Sequence, residues 1–325
     1  LKMVTLHKDT LYKIPNEADK LVQQLHGWYH PKFINLFDQH NIPYEIVEYE
    51  GYGDIFIGRF AQDKDDMEQH TKIYPKLHKH YGDNMWPNKT TYEYFEDKIK
   101  QFELIDERYR PYAIVCNNFD ELLEHVEVGT VVKSSKGAGS ESLFHIYDEQ
   151  FLQKEILEQL IGESLPNGGN FFPCFIMDYI DVEFEHRIII TEDEIYGVKI
   201  RQFKNWDSPT SFPHDIDYLN IPWYKRKDSN WIQENLIGLE EEEFNKELLD
   251  EMIRIKKELN TPNLKFDIMD NKILEFCYVY GEILPGKDYY ISYDYHNDKF
   301  NKVDTSIPDF LNKQQKSILK YFKLI

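Results

Sequence analysis

Cysteine is scarce in this chain of 325 residues: Cys116, Cys174 and Cys277 are its only three, well separated and in no CxxC pairing. That excludes a disulfide framework and a thiolate metal knuckle. Positive charge is also short, with 38 Lys and Arg against 58 Asp and Glu and a formal balance of −20. Phosphate backbones require a surplus of cations, so a general nucleic-acid binder is excluded. No apolar run approaches the roughly 20 residues that cross a bilayer. The opening "LKMVTLHKDTLYKIP" lacks the continuous apolar stretch of a secretion signal. A cytoplasmic protein with neither membrane nor nucleic acid as partner is expected. Internal repeats and long low-complexity tracts are missing too.

What remains is a chain able to build sizeable cores, 41% hydrophobic and 15% aromatic. Its length suits one multi-part enzyme of two or three subdomains. The first hundred residues read as α/β. "PKFINLFDQH" has helical spacing through Phe33, Leu36 and Phe37, "IPYEIVEYE" alternates as a strand, and Gly51 and Gly53 turn into the strand "DIFIGRF". Residues 72–104 predict helix, loop, helix, with Pro87 and Asn88 in the break. "HKH" at 78–80 reads as a solvated helix face rather than a metal site.

Further on, Asn118 with Glu121 three residues later predicts a capped helix start. "TVVK" and "SLFHIY" predict strands. From Asp148 the spacing of Leu152, Ile156 and Leu160 predicts one amphipathic helix ending at Gly162. Then come the apolar strand "FFPCFIMDYI", the pair "HRIIIT" and "EIYGVKIRQ" joined at "EDE", and an aromatic-rich insertion. Phe244, Leu248, Met252, Ile255 and Leu259 predict a helix with an acidic start, followed by the strands "KFDIMD" and "KILEFCYVYG".

Lys136, Gly137, Ala138, Gly139 and Ser140 form a small-residue loop just beyond Lys133. A P-loop or a dinucleotide fingerprint opens a helix. Here alternation resumes at Ser142, so the loop is a hairpin tip. Such a tip can fold over a triphosphate and offer backbone N–H groups, glycine removing the Cβ that would block approach. No cysteine carries the local signature of a Cys–His nucleophile.

Lys98, Lys133, this loop, Arg187, Arg201, Asp267 and Glu275, in that order, resemble the ATP-grasp superfamily of carboxylate–amine ligases. D-alanine–D-alanine ligase, glutathione synthetase and the ribosomal-protein glutamate ligases are its examples, and the likeness runs from Tyr44 to Gly281. It implies an α/β (α+β) fold of three subdomains, residues 1–97, 98–176 and 177–325 with a substrate insertion at 202–235. The nucleotide cleft would lie between the central and carboxy-terminal sheets. It further implies that Lys98, Lys133 and Lys136 reach the nucleotide, and that Gly137 and Gly139 cover its phosphates. Main-chain groups of Asp178, Tyr179 and Ile180 would meet adenine, and Glu185 the ribose. Arg187 and Arg201 would neutralise phosphate and substrate charge, and Asp267 and Glu275 would hold Mg²⁺. The relatives continue Glu-x-Asn, whereas this chain has Cys277 in the asparagine's place, a soft donor poorly matched to a second Mg²⁺.

The implied cofactors are ATP and Mg²⁺, the partners a small-molecule or peptide carboxylate and an amine, with a homodimer among the expectations. The implied reaction is ADP-forming ligation through an acyl phosphate. A kinase acting on a hydroxyl, and a nucleotide binder without catalysis, stay open beside it.

Overall fold

The structure is a computed structural model that describes residues 2–7, 30–47, 51–58, 67–136, 142–164, 170–201, 236–278, 289–304 and 313–325. Gly137, Gly139 and the insertion at 202–235 lie outside the described residues.

The amino-terminal sheet contains β1 (Val4–His7), β2 (Tyr44–Val47), β3 (Ile55–Ile57) and β4 (Met85–Trp86), ordered β2-β1-β3-β4 and parallel throughout. Its first crossover is α1 (His30–His40), which buries Phe33, Leu36 and Phe37 as their spacing predicts. Gly51 and Gly53, just before β3, pass close against β1: a Cβ on either would lie 2.4 Å from a Thr5 side-chain atom. Between β3 and β4 lies α2 (Met67–Tyr81). Two short helices follow, α3 (Lys89–Glu96), capped by Asn88, and α4 (Lys98–Leu104), capped by Asp97.

The central sheet is antiparallel, ordered β5-β8-β6-β7 from β5 (Ala113–Cys116), β6 (Thr130–Ser134), β7 (Leu143–Ile146) and β8 (Cys174–Asp178). Helices α5 (Phe119–His125) and α6 (Lys154–Glu163) cover it. The expected division at 176/177 lies within β8 (Cys174–Asp178), an inner strand of this sheet. The helix expected from Asp148 is a 3-10 turn, Glu149–Leu152, then α6. Extended backbone at Gln153 separates them and rotates the buried face onto Leu157 and Leu160.

The carboxy-terminal sheet orders its strands β13-β12-β9-β10-β14-β15, with β11 (Leu236–Gly238) pairing β10. These are β9 (Phe184–Ile190), β10 (Ile195–Arg201), β12 (Leu264–Met269), β13 (Lys272–Cys277), β14 (Tyr289–Asp294) and β15 (Lys299–Asp304), all antiparallel to their neighbours. Helix α7 (Lys246–Glu258) buries the predicted stripe of Leu248, Met252 and Ile255. The acidic run before it forms a separate 3-10 turn, Glu241–Glu243, because Asn245 caps a fresh helix. Strands β1, β14 and β15 and helix α8 (Lys313–Tyr321) have no counterpart among the expectations above. Among the described residues no helix is long and apolar enough to cross a membrane.

Candidate functional site

Strand register assembles the acidic side of the site. Arg187 of β9 stands opposite Asp267 of β12, Asp267 opposite Glu275 of β13, and Lys265 opposite Cys277. Directly opposed residues share a face, and alternate residues along a strand do too. Glu185, Arg187, Lys265, Asp267, Glu275 and Cys277 therefore line one face of three adjacent strands. The opposite face carries Ile188, Phe266 and Phe276 into the core with α7.

The basic side comes from the other half of the molecule. Val132 of β6 points into the central core, so its neighbour Lys133 projects away from it, toward the acidic face. The Lys133 ammonium donates to Glu275 Oε2 at 2.5 Å. Lys98, first residue of α4, brings its Nζ to 3.6 Å from the same oxygen. Its backbone N–H donates to Ser135 O at 3.2 Å, just beyond β6. Three residues on, the buried Gln101 accepts from Phe276 N at 3.0 Å and donates to Tyr94 O at 2.9 Å. Helix α4 is thus tied to both sheets, and Lys98 sits at their junction.

Charge is dense and partly sheltered here. Arg187 Nε lies 3.0 Å from Glu185 Oε1 and 3.5 Å from Asp267 Oδ1, while Lys265 Nζ is 3.5 Å from Asp267 Oδ2. Burial lowers the Lys98 ammonium to a pKa of about 8, helped by the Lys133 charge and opposed by Glu275. Burial alone would raise Glu275, but Lys133 and Lys98 outweigh it and hold that carboxyl well below its ordinary range. Asp267 goes the other way: burial raises it, and the opposing Lys265 and Arg187 do not fully offset that.

Asp267 Oδ1 is buried and makes no hydrogen bond among the described residues. With Glu275 on the adjoining strand, it gives two hard carboxylate donors side by side, which fits Mg²⁺. No group of three or more His, Cys, Asp or Glu side chains among the described residues is arranged to hold a metal. A divalent ion here would thus draw its other ligands from phosphate oxygens and water, the usual habit of Mg²⁺ at nucleotide sites.

The expected residues do not all meet. Lys98, Lys133, Glu185, Arg187, Asp267 and Glu275 converge; Arg201 does not. Val198 is the partner of Arg187 and Phe184 the partner of Arg201, so the strand period of two turns Arg201 to the far face. There it ion-pairs with Glu183, its guanidinium 4.8 Å over the Phe184 ring. Lys136 is exposed at the edge of the undescribed hairpin tip. Asp178 ends β8, the inner strand of the central sheet, and Tyr179 and Ile180 follow it; the Tyr179 N–H already donates to Gly129 O at 2.9 Å, so that group is engaged beside the sheet. The Tyr179 ring stacks on His145 at 4.3 Å and 21°.

Sequence reasoning missed Lys265 and Gln101. Lys265 was open to discovery, because a lysine two residues before a strand aspartate shares its face. Nothing local marks Gln101, since its partner lies 175 residues away.

No protein-family model matches the chain, and no curated protein matches it. Solved structures do. The D-alanine–D-alanine ligase of Bacillus anthracis superposes with a TM-score of 0.53 at 15% identity, covering 100% of this chain and 98% of that one. The same enzyme complexed with ATP gives 0.50 at 15%, covering 99% and 97%. A Chryseobacterium gregarium RiPP-associated ATP-grasp ligase, in complex with ADP and a leader and core peptide, gives 0.51 at 12%, covering 100% and 96%. The expected architecture is therefore the observed one: this chain has the ATP-grasp fold.

Proposed function

We propose that this ATP-grasp chain is an ATP-dependent ligase joining a carboxylate to an amine, with ADP and phosphate as co-products. One observation carries the reading. Two lysines, Lys98 and Lys133, converge on Glu275, whose cross-strand partner is Asp267, where the central half meets the carboxy-terminal sheet. Phosphoryl transfer asks of a protein mainly positioned cations and a hard metal site, not a covalent group.

A substrate carboxylate oxygen attacks the γ-phosphorus, the bond to the β-bridging oxygen breaks, and ADP leaves with that electron pair. The amine then attacks the acyl carbon, phosphate departs, the nitrogen loses its proton to water, and an amide remains. Lys133, whose ammonium meets Glu275, is placed to share its charge with the phosphates. Lys98 neutralises the same charge from the α4 end. Arg187, oriented by the buried Glu185, faces the transferred phosphoryl group. Asp267 and Glu275 would hold Mg²⁺, which when bound neutralises charge on the β- and γ-phosphates. The Chryseobacterium neighbour, bound to a leader and core peptide, supports a peptide as the source of one or both reacting groups.

Purified protein incubated with ATP, Mg²⁺ and candidate acids and amines is expected to release ADP and yield a product joined with loss of water. A phosphate ester in place of an amide would assign the chain to hydroxyl phosphorylation. Glu275→Gln is expected to lower kcat at least a hundredfold, about 2.7 kcal/mol in barrier. Turnover that survives this change overturns the reading.

A further inference from the structure

The cleft holds one cation that the proposed reaction leaves without a role. Lys265 lies on the site face of β12, two residues before Asp267, with its side chain 17% exposed and its Nζ 3.5 Å from Asp267 Oδ2. Across the strand pair its partner is Cys277, and the next pair along is Asp267 with Glu275. The carboxylate pair thus has a different neighbour on each side. Toward β6 are Lys133 and Lys98, which meet Glu275. On the other side the next cross-strand pair is Lys265 with Cys277, which among the described residues offers an ammonium and a thiol where a carboxylate or amide oxygen could stand.

Those two residues do not suit a divalent ion. A thiol is a soft donor that competes poorly for Mg²⁺ against water and phosphate. An ammonium beside a carboxylate repels a divalent cation approaching the same oxygen. Asp267 Oδ2 is therefore held by Lys265, while its buried Oδ1 is the atom that makes no hydrogen bond. We propose that Lys265 is a nucleotide-binding residue whose ammonium occupies the position a second divalent ion would take, so that this cleft admits the nucleotide with one divalent ion and one built-in cation. The proposal rests on the reading of the site as an ATP cleft. A strand lysine suits the part: its flexible four-carbon stem lets the ammonium leave the carboxylate and follow a phosphate oxygen.

The experiment counts ions without turnover. Wild-type protein is titrated with Mn²⁺ and a non-hydrolysable ATP analogue, free Mn²⁺ being read by electron paramagnetic resonance and analogue affinity by calorimetry. One Mn²⁺ per chain is expected, and two would overturn the proposal. Lys265→Met, which keeps stem length and strand character, is expected to weaken the analogue at least tenfold at saturating Mn²⁺, whereas Lys265→Arg keeps affinity within about threefold. An unchanged affinity in the folded Met variant, checked by its melting curve, shows that Lys265 only braces Asp267 and overturns the proposal. Lys265→Met combined with Cys277→Asn is expected to take up a second Mn²⁺, and a count that stays at one refutes the exclusion by Lys265. If the wild type binds no analogue, both this proposal and the ligase reading fail. A wild type that binds it with two ions defeats this proposal alone.

Discussion

The two sides of the cleft are built on different foundations. On the carboxylate side, the amino-terminal and carboxy-terminal sheets share one core that runs from Val4, Phe33 and Trp86 to Phe266, Met252 and Ile318. Trp86 and Phe95 meet Tyr278 edge-on at 5.2 and 4.8 Å, and Asn88 donates to Leu259 O and Asn260 O. On the lysine side, the central sheet has a core of its own around Leu122, Phe144, Leu157 and Ile176. Among the described residues its contacts with the rest include the Phe102–Phe175 contact at 5.4 Å, the Lys98 N–H bond to Ser135 O, and the Lys133–Glu275 pair. A large apolar core makes a single rigid unit, while a seam of a few polar contacts leaves relative motion as the default. The difference teaches that the half carrying Asp267 and Glu275 is built as a base and the Lys133 half as a separately cored unit, for which motion as a jaw is the default expectation.

Core truncations test this most severely. Trp86→Ala and Phe144→Ala each remove a fully buried aromatic side chain, worth about 3–5 kcal/mol. Trp86→Ala is expected to lower amide protection in the amino-terminal and carboxy-terminal sheets together. Phe144→Ala is expected to lower it in β5, β6, β7 and β8 alone. Native-state hydrogen exchange reads both. Loss of protection in β9 and β12 on Phe144→Ala would show one cooperative body and end the comparison.

A smaller effect is expected at the hinge. Glu251 of α7, 6% exposed, accepts the Asp106 N–H at 2.9 Å and binds Arg254, which donates onward to Leu104 O at 2.6 Å. These bonds pin the segment leaving α4 for the jaw onto the base. Burial would raise the Glu251 carboxyl, but Arg254 and the Asp106 N–H outweigh it, so its pKa in the fold is depressed. A depressed carboxylate stabilises fully above its unfolded pKa, about 4.3, and that stability is lost as pH falls through the folded value. Glu251→Gln is expected to cost about 1–3 kcal/mol at pH 7. Its difference from wild type should shrink in denaturant melts taken from about pH 5 downward; a constant difference would mean the charge is not what holds the hinge.

How much of this the sequence discloses follows from the range of each interaction. Local pattern predicts α1, α5, α7 and most strands of the central and carboxy-terminal sheets, because periodicity and caps are settled within a few residues. The order Lys98, Lys133, Arg187, Asp267, Glu275 discloses the cleft. Arg201 was misplaced because strand parity depends on where the hairpin turns: Thr191 pairs back onto Glu194, and this register sends Arg201 to the face opposite Arg187. The place of β8 inside the central sheet is not legible locally, because an apolar run does not say which sheet it joins. β14 and β15 were passed over because their partners, not their spacing, define them.

The smallest expected effect sharpens the comparison from inside the jaw. Asn118 Oδ1 accepts the Glu121 N–H at 3.0 Å, and the Glu121 carboxylate reaches back to Asn117 N at 2.7 Å, so the start of α5 is closed from both directions. Helix α5 buries Leu122 in the central core and gives no residue to the shared one. Asn118→Ala removes one cap, a loss of about 1 kcal/mol, while Asn118→Asp keeps an acceptor there and should cost little. If the jaw opens by itself, the alanine variant's loss appears in exchange of central-sheet amides and leaves the slowest amides of β12 and β13 unchanged. If instead those base amides speed up by the fivefold that about 1 kcal/mol implies, the jaw never opens without the base, and the seam of few contacts is tighter than its chemistry suggests.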